Sequence, residues 1–411
     1  MKHGRAAFAF VFVTVLLDML ALGITVPVLP KLIIQFEHGN IADAASATGL
    51  FAFVWAAMQF VFSPVIGVLS DHYGRRPVIL LSNLGLGLDY ILMALAPSLW
   101  WLFLGRAISG ITASSFPTAS AYVADVTPPE ERAAKFGLLG ASFGIGFILG
   151  PALGGLLGGM DLRYPFWAAA SLSIANFVYG FFILPESLPL DKRAPFNFAN
   201  ANPLGSLKLL RSHPQLSGLA AAKFLHSNAH QALPVMFVLY TTYRYHWSEQ
   251  LTGMTLALIG VVSTLVSAVL IRKTIQRFGE VRTLYLGTIF GIAGFVLYAA
   301  APNTPIFLAG CPLISLWGLS NPCIQSLMSK RVSASEQGQL QGALNSLFGI
   351  AGMISPLVFT AVFAWAVAPE RAVKFPGVAY WMPAALLVAT LWIVWSVTRG
   401  AVSSQAAIIE K

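Results

Sequence analysis

Long apolar runs separated by short polar breaks make up most of the chain. A membrane-spanning helix needs about 20 predominantly apolar residues, and this criterion predicts twelve spans, numbered here in chain order. The predicted spans are 6–30, 44–69, 77–96, 98–122, 135–158, 164–184, 216–240, 250–271, 281–301, 305–328, 338–364 and 377–399. The pattern therefore predicts an all-α membrane protein with twelve transmembrane helices.

The longest polar interruption, residues 185–215, separates six spans from six others. We therefore predict an N-terminal six-helix bundle over 1–184, a cytoplasmic linker over 185–215 and a C-terminal six-helix bundle over 216–411. Glycines and prolines recur at a constant offset between the halves: Gly74 with Gly279, Gly137 with Gly342, Gly144 with Gly349, and Pro151 with Pro356. Such matches indicate internal duplication and two pseudo-symmetric bundles.

Composition supports a membrane location and gives an orientation. Of the 411 residues, 57% are hydrophobic and only 10% are charged, which is more apolar surface than a soluble core can bury. Most of the 25 Lys and Arg residues fall in loops on the side of both termini, so both termini are predicted to be cytoplasmic. The formal charge of +9 therefore reports orientation and does not indicate a nucleic-acid partner. We expect a monomer in the cell membrane, with the bacterial inner membrane favoured.

Three ionisable side chains lie near the middle of predicted spans: Asp18, Asp89 and Arg106. A charged group at this depth costs at least about 2.5–3.5 kcal/mol, so each needs a physical reason. Opposite charges attract strongly in a low dielectric, and two carboxylates facing one Arg would leave one acid able to bind a proton. These residues are the candidate proton-coupling group. The alternative is an ion pair that only holds the helices together.

Other polar side chains in the spans are candidates for binding a substrate. Residues 223, 226 and 230 share a helical face, so Lys223, His226 and His230 form one polar stripe on span 7. The candidate substrate-binding residues are Trp55, Gln59, Lys223, His226, His230 and Gln231. The alternatives are that Lys223 extends to the membrane surface, that the histidines are ordinary hydrogen-bonded groups, and that Trp55 contacts the core or lipid.

The loop between spans 2 and 3 carries a dense motif, Gly-Val-Leu-Ser-Asp-His-Tyr-Gly-Arg-Arg-Pro-Val. In it, Gly67 is expected to let another backbone come close, Gly74 to permit a tight turn, and Asp71 to supply a carboxylate at a helix end. Arg75 and Arg76 would anchor the turn on the cytoplasmic side. This stretch resembles the signature loop of the major facilitator superfamily.

Two further motifs resemble signatures of the same superfamily. Span 5 carries small residues at helical spacing together with one proline: Gly137, Gly146, Gly150, Pro151, Gly154 and Gly155. They predict a smooth face for close helix packing and resemble the antiporter signature. Arg106 with Gly110 resembles the motif tied to proton transfer in the fourth helix. Asp125 resembles the acid that joins Asp71 and Arg75 in a cytoplasmic latch.

Several segments are similar to the tetracycline-efflux branch of the drug:proton antiporters. They are Leu17-Asp18, Pro27 to Pro30, Met58 to Phe60, Ser63 to Val65, Leu88 to Tyr90, Gly110 to Thr112, Leu184 to Ser187 and Gln337 to Gly342. The resemblance implies alternating access, proton influx driving export, and a site between the halves. It places polar cavity residues at Asp18, Gln59, Asp89, Arg106 and Gln231. This chain departs from the branch at one position. The branch carries an acid in span 9, whereas no carboxylate occurs here from Val281 to Ala301.

The function expected from these features is a proton-coupled antiporter that exports a small, drug-like amphipathic organic compound; the absent acid in span 9 leaves open whether this compound is tetracycline-like. Its expected partners are that compound, protons and the lipid bilayer, with no cofactor and no metal. An enzyme is not expected, because the sequence contains no nucleotide-binding loop, metalloprotease motif or serine nucleophile motif. The alternatives left open are a facilitator or importer with the same fold and a membrane receptor that does not transport.

Overall fold

The computed structural model describes residues 2–113, 115–196 and 201–409, and all the regular elements in these ranges are helices. The α-helices are α1 (Lys2–Thr25), α2 (Leu29–Phe36), α3 (Ile41–Tyr73), α4 (Arg75–Leu95), α5 (Leu99–Thr112), α6 (Ser115–Val126), α7 (Pro129–Gly158), α8 (Tyr164–Ile183), α9 (Lys208–Ser212), α10 (Pro214–Tyr245), α11 (Glu249–Leu265), α12 (Ile271–Ala300), α13 (Thr304–Trp317), α14 (Ser320–Ser329), α15 (Gln337–Val367) and α16 (Val378–Ile409). The prediction of an all-α protein is confirmed.

The helices agree with the predicted spans. Within the described residues, nine continuous helical stretches are long and apolar enough to cross a membrane. One of them, Glu249–Ala300, is 52 residues long because a short π-helix joins α11 to α12, and it covers nearly all of predicted spans 8 and 9. Predicted span 4 corresponds to α5 with α6, and span 7 corresponds to α10. The described helices are therefore consistent with twelve spans in an integral membrane protein.

Helix ends differ from the predicted boundaries where proline or glycine changes the backbone. The first apolar segment does not end at residue 30 but continues through α2, because Pro30 lies in the first turn of that helix, where a missing N–H removes no helical hydrogen bond. Gly74, between α3 and α4, has φ 104° and ψ 162°. Gly279, its counterpart in the sequence repeat, has φ 77° and ψ 168° and kinks α12. The repeat is therefore visible in backbone geometry.

Residues cluster into two compact units. The first contains Met1–Asn202 and His246–Gly260, and the second contains Pro203–Tyr245 and Val261–Lys411. In the first, α1 packs on α7 and α8, and α4 packs on α8; in the second, α10 packs on α15 and α16, and α12 packs on α16. This equivalent packing is what a duplicated six-helix ancestor predicts. The division at 1–184, 185–215 and 216–411 stays a prediction.

Candidate functional site

Asp18 lies on α1 in a network of two buried amides. Asn176 of α8 donates its Nδ2 hydrogens to Asp18 Oδ1 at 2.9 Å and to the Thr14 carbonyl oxygen at 3.0 Å. With its amide oriented to satisfy both neighbours, Asn83 of α4 donates to the Asp18 oxygens at 3.1 and 3.2 Å. Asp18 is only 4% exposed and both amides are fully buried. Neutral donors therefore stabilise this carboxylate and fix its position.

Asp89 has a different environment on α4. Its side chain reaches α5 at Gly105, where an added Cβ would lie 2.7 Å from Asp89 Oδ1. Neither carboxylate oxygen accepts a hydrogen bond from the described residues, although Ser109 lies nearby and Arg106 interacts with it electrostatically. The carboxylate is buried beside the Arg106 charge and the Ser109 hydroxyl, and no described donor makes a well-formed hydrogen bond to it.

Arg106 contacts the aromatic residue predicted on α3. Its guanidinium carbon lies 5.2 Å from the centroid of the Trp55 ring, within the range of a cation–π interaction. Gly110 allows this proximity, because an added Cβ there would lie 2.6 Å from the Trp55 carbonyl oxygen. Gln59, one turn further along α3, donates to the Ala113 carbonyl oxygen at 3.5 Å. Trp55 and Gln59 therefore both lie against the α5 segment.

Tyr90 connects the two acidic environments. This buried tyrosine interacts electrostatically with Asp18, Asp89 and Arg106. All three predicted charges therefore lie within electrostatic range of Tyr90. Asp18 accepts hydrogen bonds from the two amides, and Asp89 interacts electrostatically with Arg106, so the proton-coupling role of these three residues stays a prediction. Neutral amides in spans 3 and 6 were the sequence signal for this network, and a search restricted to charges misses them.

The residues predicted for the cytoplasmic latch meet at Arg75. Its Nη1 lies 2.5 Å from Asp71 Oδ1 and its Nε lies 3.1 Å from Asp125 Oδ2. Nη1 also donates to Ser70 Oγ at 2.9 Å, and Ser187 Oγ donates to Asp125 Oδ2 at 3.0 Å. One guanidinium therefore joins the start of α4 to the ends of α3 and α6, and Asp125 extends the network to Ser187 in the segment after α8.

Glu186, which the sequence did not assign to the latch, binds the start of α4. Its carboxylate accepts the backbone N–H of Arg75 at 2.9 Å and that of Arg76 at 3.3 Å. Gly74 provides the space, because an added Cβ would collide with the Glu186 carboxylate. The Arg76 guanidinium donates to the Phe181 carbonyl oxygen at 2.6 Å. A negative charge at a helix N-terminus is favourable because unpaired N–H groups and the helix dipole point toward it.

The small residues of α7 form close contacts with α1. An added Cβ at Gly146 would lie 2.5 Å from Met19 Cβ, and one at Gly150 would lie 2.6 Å from Gly23 Cα. Gly154 packs in the same way on the Ile24 carbonyl group. On another face of α7, Gly155 approaches the Glu249 carbonyl oxygen and the Gly253 Cα, beside the buried Pro151.

Two of the predicted glycines do not pack closely. An added Cβ at Gly137 or Gly67 would meet no described atom within 4 Å, so neither glycine is needed there for a close approach in this structure. Gly137 lies near the start of α7, well before the turns of that helix that contact α1. The expectations of helix packing at Gly137 and of backbone approach at Gly67 therefore differ from the observed geometry.

The stripe predicted on span 7 lies on α10 and faces α13 and α14. The buried Lys223 donates from Nζ to Asn321 Oδ1. The rings of His226 and Trp317 have centroids 4.8 Å apart, and those of His230 and Trp317 are 5.8 Å apart. His226 is 4% exposed, and its Nδ1 finds no hydrogen-bond partner among the described residues.

Two neighbours complete this face. Phe348 of α15 lies 6.4 Å from the His230 ring, measured between centroids. Gln231 is half-buried, and its side chain makes no hydrogen bond with the part of the chain that the structure describes. Asn321 and Trp317 are additions to the predicted set. A polar and an aromatic residue four positions apart in span 10 were the sequence signal that could have found them.

Comparison with known proteins agrees with this architecture. Residues 11–356 match the family model described as Major Facilitator Superfamily. The chain is 36% identical over 391 residues to the tetracycline resistance protein, class C, of Escherichia coli, covering 95% of this chain and 96% of the relative. The crystal structure of the human organic anion transporter MFSD10 is similar with a TM-score of 0.69 and 25% identity, and that of the nucleoside transporter NupG with a TM-score of 0.78 and 13% identity. Each superposition covers 95% of this chain and 99% of the other.

Proposed function

The chain belongs to the major facilitator superfamily, and from that premise we propose that it is a proton-coupled antiporter that exports a small amphipathic organic compound by alternating access. It is an integral membrane transporter and not an enzyme. The proposal takes its direction of transport and its drug-like substrate from the similarity to the tetracycline resistance protein. The other two similar proteins are described as transporters of organic anions and of nucleosides, so the identity of the substrate has to be inferred from the binding residues of this chain.

The buried Asp89 carboxylate is the observation that carries the proton-coupling proposal. A proton can bind to it without breaking a well-formed hydrogen bond from the described residues, and the Ser109 hydroxyl beside it can accept as well as donate. The positive charge of Arg106 favours the ionised form, and burial opposes it. A conformational change that alters the distance between the two groups would therefore move a proton on or off Asp89. Asp18, held by amide donors, would position α1 against α4 and α8.

Substrate contacts are proposed in each unit separately. In the first, Trp55 offers an aromatic face and Gln59 an amide. In the second, Lys223, His226 and His230 offer a cation and two imidazoles, with Gln231 beside them. An amphipathic organic molecule needs this combination of apolar surface and a few polar groups.

The cytoplasmic contacts are proposed to act as a latch that opens and closes during transport. Asp71, Arg75 and Asp125 hold three helix ends together through one guanidinium, and Arg76 with Gly74 shapes the turn. The excess of basic residues on the side of the termini supports a cytoplasmic location for both termini. We propose that the transporter is a monomer in a bacterial inner membrane, with bundles over 1–184 and 216–411 joined by 185–215.

The experiment uses everted membrane vesicles acidified inside and loaded with a pH-sensitive dye. Tetracycline and a panel of amphipathic cations, anions and neutral compounds are added, and proton release from the vesicles is recorded for the full chain. A substrate is expected to release protons with the wild type and not with Asp89→Asn. Asp89→Glu, which keeps a carboxyl group, is the matched control and should retain part of the response.

Three outcomes would contradict antiport. If Asp89→Asn releases protons as the wild type does, coupling through this residue is wrong. Counterflow of a compound that is indifferent to the pH gradient would indicate a facilitator. Saturable binding without flux of any panel member would indicate a receptor.

A further inference from the structure

Lys223 is a buried cation in the second compact unit, which has few acidic residues. It is 8% exposed on α10. The described acids of this unit are Glu280, Glu336 and Glu370. Glu280 binds Lys330 at 2.8 Å, and Glu336 lies 3.3 Å from His213. Within the described residues Lys223 has no carboxylate within 4 Å, so its charge is not neutralised by the protein.

The hydrogen bond of Lys223 to Asn321 does not remove this imbalance. An ammonium group has three donors, and the Asn321 carbonyl oxygen satisfies one of them without carrying a net charge. A cation inside the apolar part of a membrane is costly unless it meets an opposite charge or water. A ligand bearing an ionised oxygen would supply that charge.

Further unsatisfied polar atoms lie beside the ammonium. The indole Nε1 of Trp317 and the Nδ1 of His226 are buried, and neither has a hydrogen-bond partner among the described residues. Residues 223 and 226 lie one turn apart on α10, while Trp317 and Asn321 lie one turn apart across α13 and α14. The contacts of Lys223 with Asn321 and of His226 with Trp317 show that these two faces are in register.

We propose that Lys223, Asn321, Trp317 and His226 form a subsite for an ionised oxygen of the substrate, a carboxylate, enolate or phenolate, which makes the substrate an amphipathic organic anion. Lys223 supplies the counter-charge, and the Trp317 indole donates a hydrogen bond. The rings of Trp317 and His230 pack against the apolar part of the substrate. The exposed side chains of Asn321 and His230 leave the subsite open to entry. This inference rests on the proposed function, because it names the substrate class of the same transporter.

The test is a thermal-shift screen of the purified full chain with matched pairs of compounds. Each pair is an aromatic acid and its primary amide, such as 2-naphthoic acid with 2-naphthamide and biphenyl-4-carboxylic acid with its amide, with tetracycline added as an enolate. At least one acid is expected to stabilise the chain at a concentration tenfold lower than its amide. Lys223→Gln should abolish this preference and Lys223→Arg should keep it. Asn321→Asp, which places a carboxylate against Lys223, should also abolish it.

Three results would overturn the subsite. They are stabilisation by no acid of the panel, equal stabilisation by acid and amide, or a preference that survives in Lys223→Gln and Asn321→Asp. A fourth readout separates binding from structure. Without ligand, Lys223→Met should melt no lower than the wild type, because it removes an unneutralised charge, and a lower melting temperature would indicate a purely structural lysine. If an acid binds but releases no protons, the subsite is supported and antiport is refuted. If only neutral compounds release protons, antiport is supported and the anion subsite is refuted.

Discussion

The Glu186 carboxylate accepts a hydrogen bond from the backbone N–H of Arg75 at 2.9 Å and so caps the N-terminus of α4. The same arginine uses its guanidinium to bind Asp71 and Asp125. The main chain and the side chain of Arg75 are therefore fixed by different carboxylates. Glu186 is the third residue after α8, so the segment that follows the sixth span is part of the latch and not only a connection.

Replacing Glu186 should loosen the start of α4. Glu186→Ala removes an acceptor for two backbone N–H groups and a charge that the helix dipole favours, and comparable capping groups contribute about 0.5–2 kcal/mol. We expect a lower melting temperature and slower substrate-driven proton release. Glu186→Gln is the matched control, since it keeps an acceptor oxygen and should recover part of both losses. An Ala variant that melts as the wild type does would show that water replaces the carboxylate without cost.

Arg75 should not tolerate lysine. The guanidinium reaches Asp71, Asp125 and Ser70 at once, and an ammonium group on a flexible stem cannot reproduce that fork. Arg75→Lys is expected to reduce the transport rate at least fivefold while the chain still folds. Arg76→Lys is the comparison, because the Arg76 guanidinium donates only to the Phe181 carbonyl oxygen in the described contacts. Equal losses in the two variants would show that positive charge matters at this loop and geometry does not.

The glycines of α7 should differ sharply in their response to alanine. Gly150→Ala would push a Cβ to 2.6 Å from Gly23 Cα, so α1 and α7 must separate, and overpacking of this kind costs about 1–3 kcal/mol. Gly137→Ala meets open space and should be neutral or slightly stabilising, because alanine favours helix by up to about 1 kcal/mol over glycine. The melting temperatures of the two variants test this difference, and Gly150→Ala is expected to melt lower than Gly137→Ala. A destabilised Gly137→Ala variant would support a packing role for Gly137 in another conformation of the transporter.

The residues that sequence predicted and those it missed differ in physical kind. Apolar length and charges at membrane depth follow from the cost of placing polar groups in lipid, and this cost led to the spans, to Asp89 and to Lys223. Asn83 and Asn176 carry no charge, so the cost of burying them is smaller and does not single them out among the other neutral polar side chains of the spans. Glu186 lies in a polar loop, where a carboxylate needs no explanation. Their roles depend on which helices pack together, and only the structure supplies that information.

Asp18 should depend on its amide partners more than on its burial. Asn176→Ala removes a donor at 2.9 Å from a fully buried carboxylate, and leaving such a group short of a hydrogen bond costs about 1–3 kcal/mol or more. We expect a clear fall in melting temperature and a loss of proton-driven transport as α1 loses its contact with α8. Ser173→Ala is the matched control on the same helix, because Ser173 is equally buried and its hydroxyl has no hydrogen-bond partner among the described residues. That variant should melt and transport as the wild type does. If both variants behave alike, the Asn176 amide does not hold Asp18, and the position of α1 depends on its packing against α7.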